Sequence, residues 1–238
     1  MLLMVPLMML AGFHSIYAQS FPGPERMDWE GIPSGGGSFV QNFRIPTSVI
    51  GGAAAPRTVG MNFKGGYLVG IRLKQNLDEY WSADLDYTFA NAPLEFTNLT
   101  PSIQSLTLSH SVQTLTYNVS YQFLEYWKRF RPYVRVGSGA TLFYIKSSSK
   151  DQAAQLGVPL RDSWKFTFDW GGGFKYQLGP QVAVTFDMRD LVSGIPGYGL
   201  PLSASIVNGQ YQPGLSRSGL LHQGQINLGV SFQWNDWY

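Results

Sequence analysis

The 238-residue chain has no cysteine, three histidines and a charged content of 13%. Each shortage removes a class of chemistry. Without cysteine there is no disulfide scaffold, zinc–thiolate cluster or thiol nucleophile. Three histidines leave little imidazole for metal binding or acid–base work. The charge content is about half that of an ordinary soluble domain, whose surface is coated with lysine and glutamate, so a soluble enzyme is disfavoured. A formal net charge of +2, spread along the chain, is no nucleic-acid footprint. Beyond the N-terminus there is no long apolar run, so no spanning helix is expected. What is abundant is aromatic: 15% of the residues are Phe, Trp or Tyr, which excludes disorder.

Met1 to Phe13 is an uncharged apolar run followed by small and polar residues up to Ser20. This is the composition of a signal peptide, with cleavage after Ala18 or Ser20. The run is shorter than the roughly 20 residues of a spanning helix, and it contains Pro6. Against export, no Lys or Arg precedes it. The next stretch, with Pro22, Pro24, Pro33 and Gly35-Gly36-Gly37, has linker composition. Three units are expected: a signal peptide over 1–18, a flexible linker over 19–37 and a folded domain over 38–238.

From there apolar and polar residues alternate with a period of two, the signature of strands with unlike faces. Trp81, Ala83, Leu85, Tyr87 and Phe89 oppose Ser82, Asp84, Asp86 and Thr88; Leu115 to Phe123 keep the rule without a lapse. Trp164 to Leu178 and Val182 to Arg189 form a hairpin across Gly179-Pro180, and Ile226, Leu228, Val230, Phe232 and Trp234 make the last strand. Weaker segments are Val134 to Tyr144, Phe63 to Leu73 and Phe39 to Ile45. That makes eight strands. Short connections, Gln75 to Glu79, Glu125 to Arg131 and Gly179 to Gln181, alternate with long ones, Thr47 to Val59, Thr97 to Thr107, Ser147 to Ser163 and Gly194 to Gly219. The expected fold is all-β: an eight-stranded antiparallel up-and-down transmembrane β-barrel with its long loops toward the cell exterior.

Composition decides which face lies inside. A soluble barrel points its apolar face inward and covers the other with charge; here the polar face is Gly, Ser, Thr and Asn with few charges, so it suits a narrow interior, and the aromatic face suits lipid. The interior charges are then Arg44, Lys64, Arg72, Asp84, Asp86, Arg135, Lys165, Asp169, Lys175, Asp187 and Arg189. A one-residue slip would drive these into lipid, each basic one at midplane costing roughly 2–4 kcal/mol. Across the Gly179 hairpin, Asp169 can meet Arg189, or Lys175 can meet Asp187. Basic residues outnumber acidic ones in this set, so any leak is expected to favour anions.

The strand–turn–strand units ending in Tyr80-Trp81, the Asp169 to Tyr176 and Asp187 to Asp190 segments and the closing Gln225 to Trp234 strand resemble the eight-stranded outer-membrane barrels of the OmpA and OmpX type. The resemblance spans roughly Ser38 to Trp234 and is specific for architecture, weak for activity. It implies a bacterial outer-membrane location, outer-membrane lipid and the assembly machinery as partners, and a monomer. It also implies an assembly signal in the terminal strand, carried by Ile226, Leu228, Val230, Phe232 and Trp234, to which Asn235 to Tyr238 add an extension.

Some barrels of this kind resemble rim hydrolases, but the candidates here are few. His110 lies between serines on the inward parity, His222 has the lipid-facing parity, and neither sits in a motif. Trp127-Lys128-Arg129-Phe130-Arg131 mixes basic and aromatic residues in a short turn, where such residues anchor a barrel rim. No catalytic residue, cofactor, metal or nucleic-acid partner is expected. The reading is a structural or surface-recognition role through the exterior loops, with a narrow, weakly anion-selective channel as the alternative and a rim lipid hydrolase third; the loops name no ligand.

Overall fold

The computed structural model describes residues 27–47, 49–50, 57–99, 104–207, 210–215 and 217–235. The expected signal peptide, the first part of the expected linker and the last three residues lie outside this set. In chain order the first strands are β1 (Trp29–Val40), β2 (Phe43–Thr47), β3 (Val49–Ile50), β4 (Arg57–Phe63), β5 (Gly66–Asn76), β6 (Trp81–Asn91), β7 (Leu94–Thr97) and β8 (Ser105–Leu108). Then come β9 (His110–Gln122), β10 (Phe130–Ile145), helix α1 (Ser147–Gln155), β11 (Ser163–Gln177), β12 (Val182–Gly194), β13 (Ala204–Val207), β14 (Gln210–Gln212) and β15 (Leu220–Trp234).

Eight of these close an antiparallel barrel in the order β1-β15-β12-β11-β10-β9-β6-β5. Every ring neighbour except the β1–β15 pair follows in sequence, once the short strands of the connections are set aside. The alternating pattern acts as read. Tyr67, Ile71, Phe166 and Leu228 point outward and are more than half exposed, whereas Asn118 and Asp169 point inward and are fully buried. Polar inside and apolar outside is the arrangement that lipid stabilises and water does not.

The start of the barrel corrects the expected boundary. Residues 29–37 are not linker: β1 pairs along its length with β15, from Trp29 opposite Trp234 to Val40 opposite Gln223, and with β5 on its other side. The period is hidden because the outward positions of β1 between Trp29 and Phe39 are Gly31, Pro33, Gly35 and Gly37, with no large side chain among them. Close approach requires a further glycine on the other parity, since a Cβ on Gly36 would lie 1.8 Å from the Ile226 carbonyl oxygen. Phe43, Arg44 and Ile45 belong instead to β2, outside the barrel.

The long connections fold into a headpiece. β2, β4, β7 and β8 make one four-stranded sheet, β14, β13 and β3 another, and α1 lies in the β10–β11 connection. Its core holds Met61, Phe63, Phe96, Leu108 and Tyr198, and it is continuous with inward residues at the upper strand ends, including Leu68, Val112, Phe143 and Leu221. The barrel interior therefore changes from polar to apolar toward the long-connection end.

Candidate functional site

The polar interior is organised in two charged layers. In the upper one, three guanidiniums meet four carboxylates. Arg72 Nε lies 2.9 Å from Asp86 and its Nη2 3.2 Å from Asp187. Arg135 contacts Asp84 and Asp86 at 3.1 Å and Asp169 at 3.2 Å, with Asp187 at 3.9 Å. Arg189 Nη1 reaches Asp86 at 3.0 Å and Asp169 at 3.3 Å. Neutral donors complete the shell: Asn118 Nδ2 donates to Asp84 at 3.1 Å, and Tyr133 Oη donates to Asp187. Strand parity explains the convergence, because Arg72 and Asp86 are register partners and inward side chains of an eight-stranded barrel reach its axis.

The lower layer is centred on Glu30. Its carboxylate accepts from Lys175 Nζ at 2.7 Å, Asn76 Nδ2 at 2.9 Å and Ser231 Oγ at 2.7 Å, and Lys74 Nζ lies 3.8 Å away. Below it, Arg131 donates to the Glu79 carbonyl at 3.2 Å and lies over the Tyr126 ring.

Of the interior charges read from the sequence, the structure brings Arg72, Asp84, Asp86, Arg135, Asp169, Lys175, Asp187 and Arg189 inside. Of the two hairpin pairs, Asp169 meets Arg189, but Lys175 turns to Glu30 and Asp187 to Arg72. Three assignments are corrected or narrowed. Arg44 is exposed on β2, and Lys64, between β4 and β5, pairs with Glu95 at 3.9 Å on the headpiece. Lys165 has inward parity but sits half-buried near the upper end of β11.

Glu30, Lys74 and Arg131 were missed. Glu30 lay in the stretch read as linker, and Arg131 in a turn read as rim. Lys74 was findable, two residues beyond Arg72 on the same face. With these included, the buried interior holds six basic and five acidic residues, so the expected anion bias nearly disappears.

The histidines are equally placed. His110 is buried at the upper end of β9, where Nδ1 donates to the Ala92 carbonyl at 2.8 Å and Nε2 accepts from Tyr198 Oη at 3.0 Å. Both ring nitrogens are engaged, so the ring is a strut between barrel and headpiece. His222 faces outward and pairs with Asp190 at 2.7 Å. Among the described residues no group of three or more His, Cys, Asp or Glu side chains is arranged to hold a metal ion. The terminal strand presents Ile226, Leu228, Val230 and Phe232 outward, and Trp234 pairs with Trp29.

Burial, with Asp162 adding to it, pushes the Tyr198 phenol in the headpiece well above its ordinary value. The folded state thus favours the protonated phenol, and this contribution is complete below about pH 10, where an unfolded tyrosine ionises, and is lost as pH rises beyond it. Headpiece packing, followed by near-ultraviolet circular dichroism, is expected to hold between about pH 6 and 9 and to loosen above about 10. Tyr198→Phe should lose the Tyr198 part of this alkaline transition; an unchanged transition would exclude Tyr198 as its source.

A protein-family model described as an outer membrane protein beta-barrel domain matches residues 40–233. No curated protein matches the sequence. Among solved structures, the chain is similar to the outer membrane protein OprG from Pseudomonas aeruginosa, with 15% identity, a TM-score of 0.54, and coverage of 90% of this chain and 99% of that one. It is also similar to Neisserial surface protein A, with 12% identity, a TM-score of 0.50, and coverage of 87% and 96%. At these identities the likeness is one of fold.

Proposed function

Because the chain belongs to the outer-membrane β-barrel family, we propose that it is a monomeric, sealed envelope protein whose extracellular headpiece serves a structural or surface-recognition role. One observation carries this reading: the barrel axis is obstructed twice. The Arg–Asp layer fills the waist with side chains at most 7% exposed, and the apolar cluster around Phe96, Phe143 and Tyr198 covers its extracellular end. An ion would have to break several buried pairs and then cross an apolar plug, and each step is costly in a low-dielectric interior. The near balance of interior charge also removes the reason to expect anion selectivity. His110, held at both nitrogens, supports a non-catalytic rim.

Single-channel recording of the refolded full chain in a planar lipid bilayer tests this. The expected trace is silent, matching a boiled control. Discrete steps, above all anion-favouring ones, would make the chain a channel and give Arg72, Arg135 and Arg189 a conducting role.

A further inference from the structure

On the outer wall, β5, β6 and β9 present Val69, Ile71, Leu85 and Leu115, all well exposed, as a hydrocarbon-facing patch. Toward the extracellular end the same wall changes chemistry. Asn91 opposes Ser111, and Ser111 opposes Tyr144, so polar side chains replace the apolar ones where the barrel meets the headpiece. A cleft of about 510 Å³ opens there, lined by these residues together with Tyr67, Phe89, Ser109, His110, Gln113 and Lys146.

We propose that this lateral cleft binds the phosphorylated headgroup of an outer-leaflet glycolipid, whose acyl chains lie along the apolar wall below. Position is the first argument: the cleft stands where the wall passes from hydrocarbon to polar, the level of lipid headgroups. Chemistry is the second. The lining contains Lys146 and no carboxylate. Among the described residues neither the Lys146 ammonium nor the hydroxyl of Ser111, a residue 8% exposed, has a protein partner. Gln113 accepts from Tyr87 Oη at 3.0 Å, which leaves its amide nitrogen to donate. Lys146 is the N-cap residue of helix α1 and makes no side-chain cap bond to its first turn, so the helix N-terminus adds positive potential at the rim. Charge is the third argument. The four extracellular connections, residues 41–65, 92–109, 146–163 and 195–219, carry seven basic and three acidic residues. A phosphate with sugar hydroxyls satisfies such a set of one ammonium and several neutral hydrogen-bonding groups. The inference rests on the membrane placement of the barrel and is independent of whether the barrel conducts.

The test uses the refolded full chain in detergent micelles, with native mass spectrometry reading binding of a diphosphorylated disaccharide glycolipid, its dephosphorylated form and inorganic phosphate. The diphosphorylated glycolipid is expected to bind preferentially. Lys146→Glu should weaken it by about tenfold, while Arg161→Glu, the same charge change at a headpiece residue that does not line the cleft, should change it by less than about twofold. Equal binding of the dephosphorylated form, or equal losses in the two variants, would overturn the site. Displacement by inorganic phosphate at matching concentration would reveal an anion site that does not recognise lipid, which also overturns it. Should Lys146→Glu fail to reach the folded, heat-modifiable form on electrophoresis, Lys146→Gln against Arg161→Gln carries the same comparison.

Discussion

Arg135→Met is expected to lower folded-state stability by about 3–5 kcal/mol, read from urea unfolding in lipid vesicles by tryptophan fluorescence. The side chain of Arg135 is 0% exposed, and its guanidinium is the one group in the upper layer within 4 Å of Asp84, Asp86, Asp169 and Asp187 together. Methionine fills similar space but leaves two guanidiniums facing four carboxylates, with no water-exposed path for the excess charge. Adding Asp169→Asn should recover part of the loss, because it removes one of the carboxylates left behind. Losses that simply add would contradict a shared network. A loss under about 1 kcal/mol would mean that water reaches the layer and screens it.

Gly36→Val should prevent barrel closure, with a penalty of about 3 kcal/mol or more, seen as loss of the heat-modifiable folded band. A Cβ at Gly36 would sit 1.8 Å from the Ile226 carbonyl oxygen and 3.0 Å from Asn227 Cα, so it meets backbone that cannot rotate aside. Gly35→Ala is the matched control, since its Cβ would meet the Leu68 carbonyl oxygen at 3.7 Å, an ordinary contact. Similar folding yields for the two variants would show that glycine content, rather than close packing at one point, governs the strand.

These two positions also mark what could and could not be read from the sequence. Arg135 was legible although β10 is one of the weaker alternating segments, because Val134 and Val136 flank it on the opposite face, and parity alone carried it and Asp84, Asp86, Asp169 and Arg189 to the interior. Gly36 was not, because alternation is a contrast between side chains and the outward row of β1 has almost none. Losing that strand also lost Glu30, and with it the true partner of Lys175. The headpiece was hidden for a different reason. Its strands are short, and their apolar residues, such as Phe63, Phe96 and Leu108, pack into a core of their own instead of facing lipid. Phe63 shares the parity of Tyr67, yet the Lys64-Gly65 link between β4 and β5 separates a buried residue from an exposed one.

The glycine-rich first strand has a consequence for how the molecule assembles. Seven of the eight ring contacts join strands that follow one another in the chain once the headpiece strands are set aside, and two of them, Asn76 opposite Ser82 and Gln177 opposite Ala183, close across short turns. The eighth joins Trp29 to Trp234, which stand near opposite ends of the described residues. Loop-closure entropy makes the long-range seam the last and slowest pairing. The strand that completes it has little side-chain bulk to interlock, so its closure depends on backbone hydrogen bonds and on correct alignment with β15. Until that seam zips shut, both edges remain open to pairing with another chain, which makes the insertion rate and the yield of single closed rings two readings of one kinetic step.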